Sequence, residues 1–95
     1  MGMFIAFHPT PGTGQAIAAT TATQIAGVDA TKPQRVRIAW TSAGYVAFGK
    51  DNTIDSSVPA NRIQLPTAAG SEVFDLGSNQ NWIHSTVALT LVVGS

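Results

Sequence analysis

Apolar and polar side chains alternate most sharply between Arg35 and Thr41, where Val36, Ile38 and Trp40 interleave with Arg35, Arg37, Ala39 and Thr41. A period of two marks a strand with one buried face. Ser42-Ala43-Gly44 follows, and Tyr45 to Gly49 then places Val46 and Phe48 on one side and Tyr45 and Ala47 on the other. Because Gly44 can take the positive φ of a three-residue loop, the stretch predicts a tight hairpin over residues 35–50. Arg35, Arg37 and Tyr45 are left on the face away from its core.

The same pattern predicts strands on both sides of this unit. Met1 to His8 is apolar on both faces, with Met1, Met3, Ile5 and Phe7 on one and Phe4 and Ala6 on the other. Such a strand is either central in a sheet or paired with another subunit. Pro9-Thr-Pro-Gly-Thr-Gly14 ends it, which divides the chain into an N-terminal arm, residues 1–14, and a compact domain, residues 15–95. Gln15 to Ala26 is rich in Ala and β-branched Thr with no 3.6-residue apolar stripe, and predicts one strand or two short ones around Thr20 and Gln24-Ile25. Gly27 to Pro33 reads as a loop.

Beyond the hairpin, Lys50 to Asn61 is a polar connection of the kind that crosses between sheets. Ile63-Gln-Leu-Pro66 is a short edge segment, and Glu72-Val-Phe-Asp-Leu76 a strand whose Val73, Phe74 and Leu76 share the core. Gly77 to Asn81 is a turn, and strands over 82–86 and 88–93 close the domain. Seven or eight short strands without a helix predict an all-β fold, a single small antiparallel β-sandwich of jelly-roll type with an extended N-terminal arm.

Composition sharpens this in two ways. A chain of 95 residues without cysteine has neither a disulfide framework nor a thiolate metal site to support it. Only 11% of its residues are charged and the formal net charge is +0. The balance gives no electrostatic basis for nucleic-acid or membrane-surface binding, while a surface this poor in charge suits being covered by a partner. No apolar run approaches the roughly 20 residues of a membrane helix, and Met1 to Phe7 lacks the basic flank of a signal peptide.

Candidate chemistry is sparse. Asp51, Thr53 and Asp55 carry oxygens at alternate positions like a calcium loop, but Ser56 stands where glycine is required and Arg62 where the bidentate glutamate belongs. His8 and His84 are the only imidazoles, too few for a catalytic zinc, so no metal or cofactor is expected. His84 with Asp75 and a serine would make a triad, yet no Gly-x-Ser-x-Gly elbow occurs. Asp29, Asp51, Asp55, Glu72 and Asp75 read as ordinary solvated carboxylates. A sandwich this small also leaves little room for a cleft of about 300 Å³. Gly12-Thr-Gly14 stops short of a phosphate cradle. No catalytic residue is assigned, and the expectation is a protein that is not an enzyme. Aromatics are the stronger candidates, with Trp40 core by parity and Tyr45 and Trp82 suited to an outward platform or an interface anchor.

The ordered series Val36-Arg-Ile38, Tyr45-Val-Ala-Phe-Gly49, Ile63-Gln-Leu-Pro66, Gly70-Ser-Glu-Val-Phe74, Trp82-Ile-His84 and Leu91-Val-Val-Gly94 resembles the small virion structural proteins of tailed bacteriophages that decorate or cement capsids. The likeness covers about residues 34 to 94; the final strand lacks the family's Tyr and Pro. The resemblance implies a non-enzymatic virion protein on the capsid surface, made in the host cytoplasm, that binds and stabilises the lattice of the major capsid protein. It implies a homo-oligomer, with a trimer favoured. The expected interface residues are Met1, Met3, Phe4, Ile5 and Phe7 of the arm with Arg35, Arg37, Tyr45 and Trp82. The alternative is a carbohydrate- or receptor-binding module of a tail fibre or spike, using Trp82 and Tyr45.

Overall fold

A computed structural model describes residues 7–28, 34–66 and 68–94. The part of the expected first strand that spans Met1 to Ala6 lies outside them, and Phe7 and His8 are not in a strand. Eight strands follow: β1 (Gln15–Ile17), β2 (Thr23–Gln24), β3 (Gln34–Trp40), β4 (Gly44–Gly49), β5 (Ile63–Leu65), β6 (Gly70–Leu76), β7 (Trp82–Ser85) and β8 (Leu89–Gly94). The described residues contain no helix.

The pairing is nested. β1 lies antiparallel to β8, β2 to β7, β3 to β6, and β4 to β5. The chain is therefore one long hairpin with its tip between β4 and β5, rolled until β3 also meets β8 and β4 also meets β7. Two four-stranded sheets result, in the orders β1-β8-β3-β6 and β2-β7-β4-β5. Eight antiparallel strands nested in this way form a double-sheet jelly roll. The all-β sandwich expected from the sequence is the observed fold.

Several local expectations are corrected by this topology. The stretch 35–50 is not a hairpin, because β3 belongs to the first sheet and β4 to the second. Residues 41–43 carry the chain across the core, and Gly44 has no positive φ. Its lack of a side chain serves close approach instead, since a Cβ there would lie 2.6 Å from Thr86 Oγ1 and 2.9 Å from Val87 Cγ1. Conversely, residues 50–62 join two neighbours within the second sheet and do not cross. Thr20 is in a turn with φ 58° and not in a strand. Its amide is satisfied by the Ser85 carbonyl at 2.7 Å.

The core lies between the sheets. Val36, Ile38 and Trp40 of β3 meet Leu89, Leu91 and Val93 of β8 in register, and Val46, Leu65 and Ile83 approach from the second sheet. Phe48 and Phe74 close one side as an edge pair between the sheets, with centroids 5.4 Å apart and planes tilted by 51°. Val73 does not share the core as expected and is 39% exposed, because it alternates with Phe74 on the last strand of its sheet.

Gly44→Ala is expected to lower stability by about 1–3 kcal/mol through overpacking against Thr86 and Val87, read as a reduced urea midpoint with an unchanged m-value. An unaltered midpoint would show that the 41–44 crossing tolerates a side chain.

Candidate interaction surfaces

Strand parity decides what each sheet offers to solvent. On the first sheet Val36, Ile38 and Trp40 face in, so Arg35, Arg37 and Ala39 face out, beside Asp75, Val73 and Ser71 of β6 and Gly94, Val92 and Thr90 of β8. The two arginines face away from the core as expected. Both are engaged by β6: Arg35 Nε donates to Asp75 Oδ1 at 3.0 Å, and Arg37 Nη2 donates to Ser71 Oγ at 3.1 Å. The Arg35–Asp75 pair is a surface contact, with the Asp75 side chain 81% exposed, and contributes at most about 1 kcal/mol.

The root of the N-terminal arm is fixed on this same face. Pro9 bridges to Gly94, the Thr10 N–H donates to the Val93 carbonyl at 2.8 Å, and Thr13 Oγ1 accepts from the Val93 N–H at 3.1 Å. Gly94 lets the chain cross here, because a Cβ would strike the His8 carbonyl oxygen and lie 2.6 Å from Phe7 Cζ. Phe7 thus sits on the outer face at one end of an open groove of about 580 Å³ that also touches Arg37, Val73 and Val92. A second open groove of about 520 Å³ lies among Ala16, Ala39, Trp40 and Thr90. Both exceed the roughly 300 Å³ that the sequence suggested such a sandwich would lack. They are shallow troughs on a sheet surface and not enclosed clefts.

The outer face of the second sheet carries Tyr45, Ala47 and Gly49 of β4 with His84 and Trp82 of β7. The tip of the long hairpin folds over it. Ile54 packs on Gly49, where a Cβ would meet it at 2.9 Å, and Ala47 is buried although it shares a face with Tyr45. Trp82 is half-buried and outside the core cluster, paired with Gly49 and Gln24. Tyr45 stands at the other end of β4, about 13 Å from Trp82 at strand spacing, with the Arg62 guanidinium 3.9 Å above its ring centroid. The two aromatics share a face, but the tip lies between them and one Tyr45 surface is occupied.

The tip is pinned by His84. Ser56, fully buried, donates its N–H to His84 Nδ1 at 3.0 Å, and its Oγ lies 2.8 Å from the same nitrogen. An N–H donor requires a lone pair on Nδ1, so the neutral ring carries its proton on Nε2. Asp55 Oδ1 is 3.9 Å from Nδ1 as well. A relay needs the serine and the carboxylate on opposite ring nitrogens. Here both address one nitrogen and the serine is shielded from solvent, so the cluster is built to hold a loop. Asp75, the partner the sequence suggested for His84, is on the first sheet and bonded to Arg35.

Asp51 and Asp55 act as turn locks. Asp51 Oδ1 accepts from the hydroxyl and N–H of Thr53, and Asp55 Oδ1 accepts from the hydroxyl and N–H of Ser57. Side-chain and then backbone hydrogen bonds hold both carboxyls below the ordinary value of 3.8. Among the described residues no three His, Asp or Glu side chains gather as metal ligands. Of the expected interface residues, the structure brings Phe7 and Arg37 to one groove, with Arg35 beside it on that face, and sets Tyr45 and Trp82 on the opposite sheet. Met1, Met3, Phe4 and Ile5 lie outside the described residues. Comparison of the chain with protein-family models, curated proteins and solved structures finds no match.

Two outcomes follow for the tip. His84→Leu strands the buried Ser56 N–H and is expected to cost about 1–3 kcal/mol, more than Ser56→Ala, which keeps that bond; urea unfolding of the two variants checks the order. Folded carboxyl values below 3.8 mean that the Asp51 and Asp55 turns contribute fully above that pH and are lost as pH falls through the folded values. The Thr53 and Ser57 amide resonances should therefore each shift at acid pH below 3.8, as Asp51 and Asp55 respectively protonate.

Proposed function

We propose that this protein is a non-enzymatic virion component that decorates the capsid of a tailed bacteriophage, binding the lattice of its major coat protein as an oligomer. The observation that carries the reading is the position of Phe7. Gly94 lets Phe7 lie on the outer face of the first sheet in a groove shared with Val73 and Val92, and the residues preceding Phe7 in sequence are Met1, Met3, Phe4 and Ile5 with two small ones. An apolar segment delivered from a rigid sheet surface is a natural attachment device, since the sandwich keeps its own core whether or not the segment is bound. The low charge of the chain supports the same reading, because a surface with 11% charged residues is costly to leave wet and inexpensive to cover. So does the ordered series of strand motifs from Val36 to Gly94.

The test compares the full chain with a variant lacking Met1 to Ala6, both added to undecorated capsids of the encoding phage and sedimented. Phe7 is retained because it packs on Gly94. The truncated protein should unfold at the same urea concentration as the full chain and lose at least about tenfold in affinity, equivalent to about 1.4 kcal/mol. Equal decoration by both would remove the arm from the account.

A further inference from the structure

Each sheet of the sandwich has two edges, and the four are treated differently. β1, β2 and β5 are edge strands of three, two and three residues. β5 is also followed immediately by Pro66, which has no N–H to offer. Short strands, proline and charged side chains are among the means by which sheets avoid adding a foreign strand. The fourth edge has only charges, Glu72 and Asp75, and Asp75 is bonded to Arg35. β6 runs for seven residues, pairs with β3 at seven consecutive positions without a bulge, and has no second partner strand among the described residues. It carries no Lys and no Pro, and Val73 at its centre is 39% exposed.

We infer that β6 is a self-association edge: two copies of the chain join β6 to β6 in an antiparallel pair about a two-fold axis at Val73, fusing their first sheets into one of eight strands. The sequence of β6 selects that register. Partners across an antiparallel pair must point to the same face, which restricts a two-fold axis to a residue position. Centred on Glu72, the pair sets two carboxylates directly opposite, and centred on Phe74 it sets Asp75 against Val73. Centred on Val73, it places Val73 on Val73, Ser71 opposite Asp75 and Glu72 opposite Phe74, with no like charges facing. The exposed valines then extend the apolar floor that Val73 shares with Val92. The one unfavourable neighbour in the chosen register is the diagonal Glu72–Glu72 pair, about 7–8 Å apart. Association should therefore strengthen as salt screens it.

The inference concerns the protein in solution and does not rest on capsid binding. Since the chain has no cysteine, Val73→Cys supplies a single reporter. Directly opposed strand residues stand within small adjustments of disulfide geometry. In oxidising buffer V73C should become a disulfide-linked pair at least about tenfold faster than Thr90→Cys, which is exposed on the same face but on β8. Sedimentation of the unmodified chain at about 100 µM, a concentration that populates micromolar complexes, should give twice the 9.8 kDa monomer mass, and Val73→Lys should return it to one. A monomer or a trimer at that concentration overturns the inference, as do equal cross-linking by V73C and T90C or a pair abolished by removing Met1 to Ala6 but untouched by V73K. Capsid binding with the pair absent would leave the proposed function standing and the β6 edge refuted.

Discussion

The seam between β3 and β8 is the constraint on which the rest of the molecule depends. Six consecutive residue pairs, from Arg35 with Gly94 to Trp40 with Leu89, tie the middle of the chain to its end. Without it the nested hairpin would be an open ribbon with one face of each strand wet, and isolated ribbons of this kind are marginal in water. With it, Val36, Ile38, Leu91 and Val93 are shut between two sheets, and Gly94 becomes the place where the N-terminal segment crosses. The same seam that closes the core therefore decides which face Phe7 lies on. Because most of the contacts are distant in sequence, folding must close long loops before it gains them, and slow folding is expected for such a topology.

Surface roles divide along the two sheets. The second sheet is covered by part of its own chain, with Ile54 on Gly49 and Ser56 under His84, so its outer face is largely used up. The first sheet is covered by nothing comparable among the described residues. It presents a shallow groove, two arginines already held by β6, and one long edge strand with no second partner among the described residues. The capsid reading and the β6 pairing both draw on this asymmetry, and they use different parts of it: the arm and groove in one, the edge beyond Val73 in the other.

Strand positions were legible in the sequence where alternation was strict. Val36-Arg-Ile-Ala-Trp40 falls on the expected faces because one side of it is buried over its full length, and the closing strand expected over 88–93 is found at Leu89–Gly94. Sheet membership was not legible. A strand, three connecting residues and another strand look alike whether the chain turns back in one sheet or steps across the core, and only the nested partners of β3 and β4 decide it. Val73 was assigned to the core because it neighbours Phe74, and its exposure depends on β6 being an edge, a property of the whole sheet. Ser56 and His84 are 28 positions apart, and no local spacing links a buried hydroxyl in a polar loop to an imidazole on β7. Gly94 lies beyond the strand expected over 88–93, and nothing local marks the close approach of Phe7 and His8 that requires a glycine there.

A density map of the particle that carries this protein tests the central claim most directly. The account places a 9.8 kDa jelly roll on the outer surface of the capsid shell, with β3 and β8 of the first sheet turned toward the coat lattice and density running from Phe7 into it. A jelly roll seated by its β4–β5 tip, with the first sheet bare to solvent, or one located on the tail with none on the shell, would contradict it.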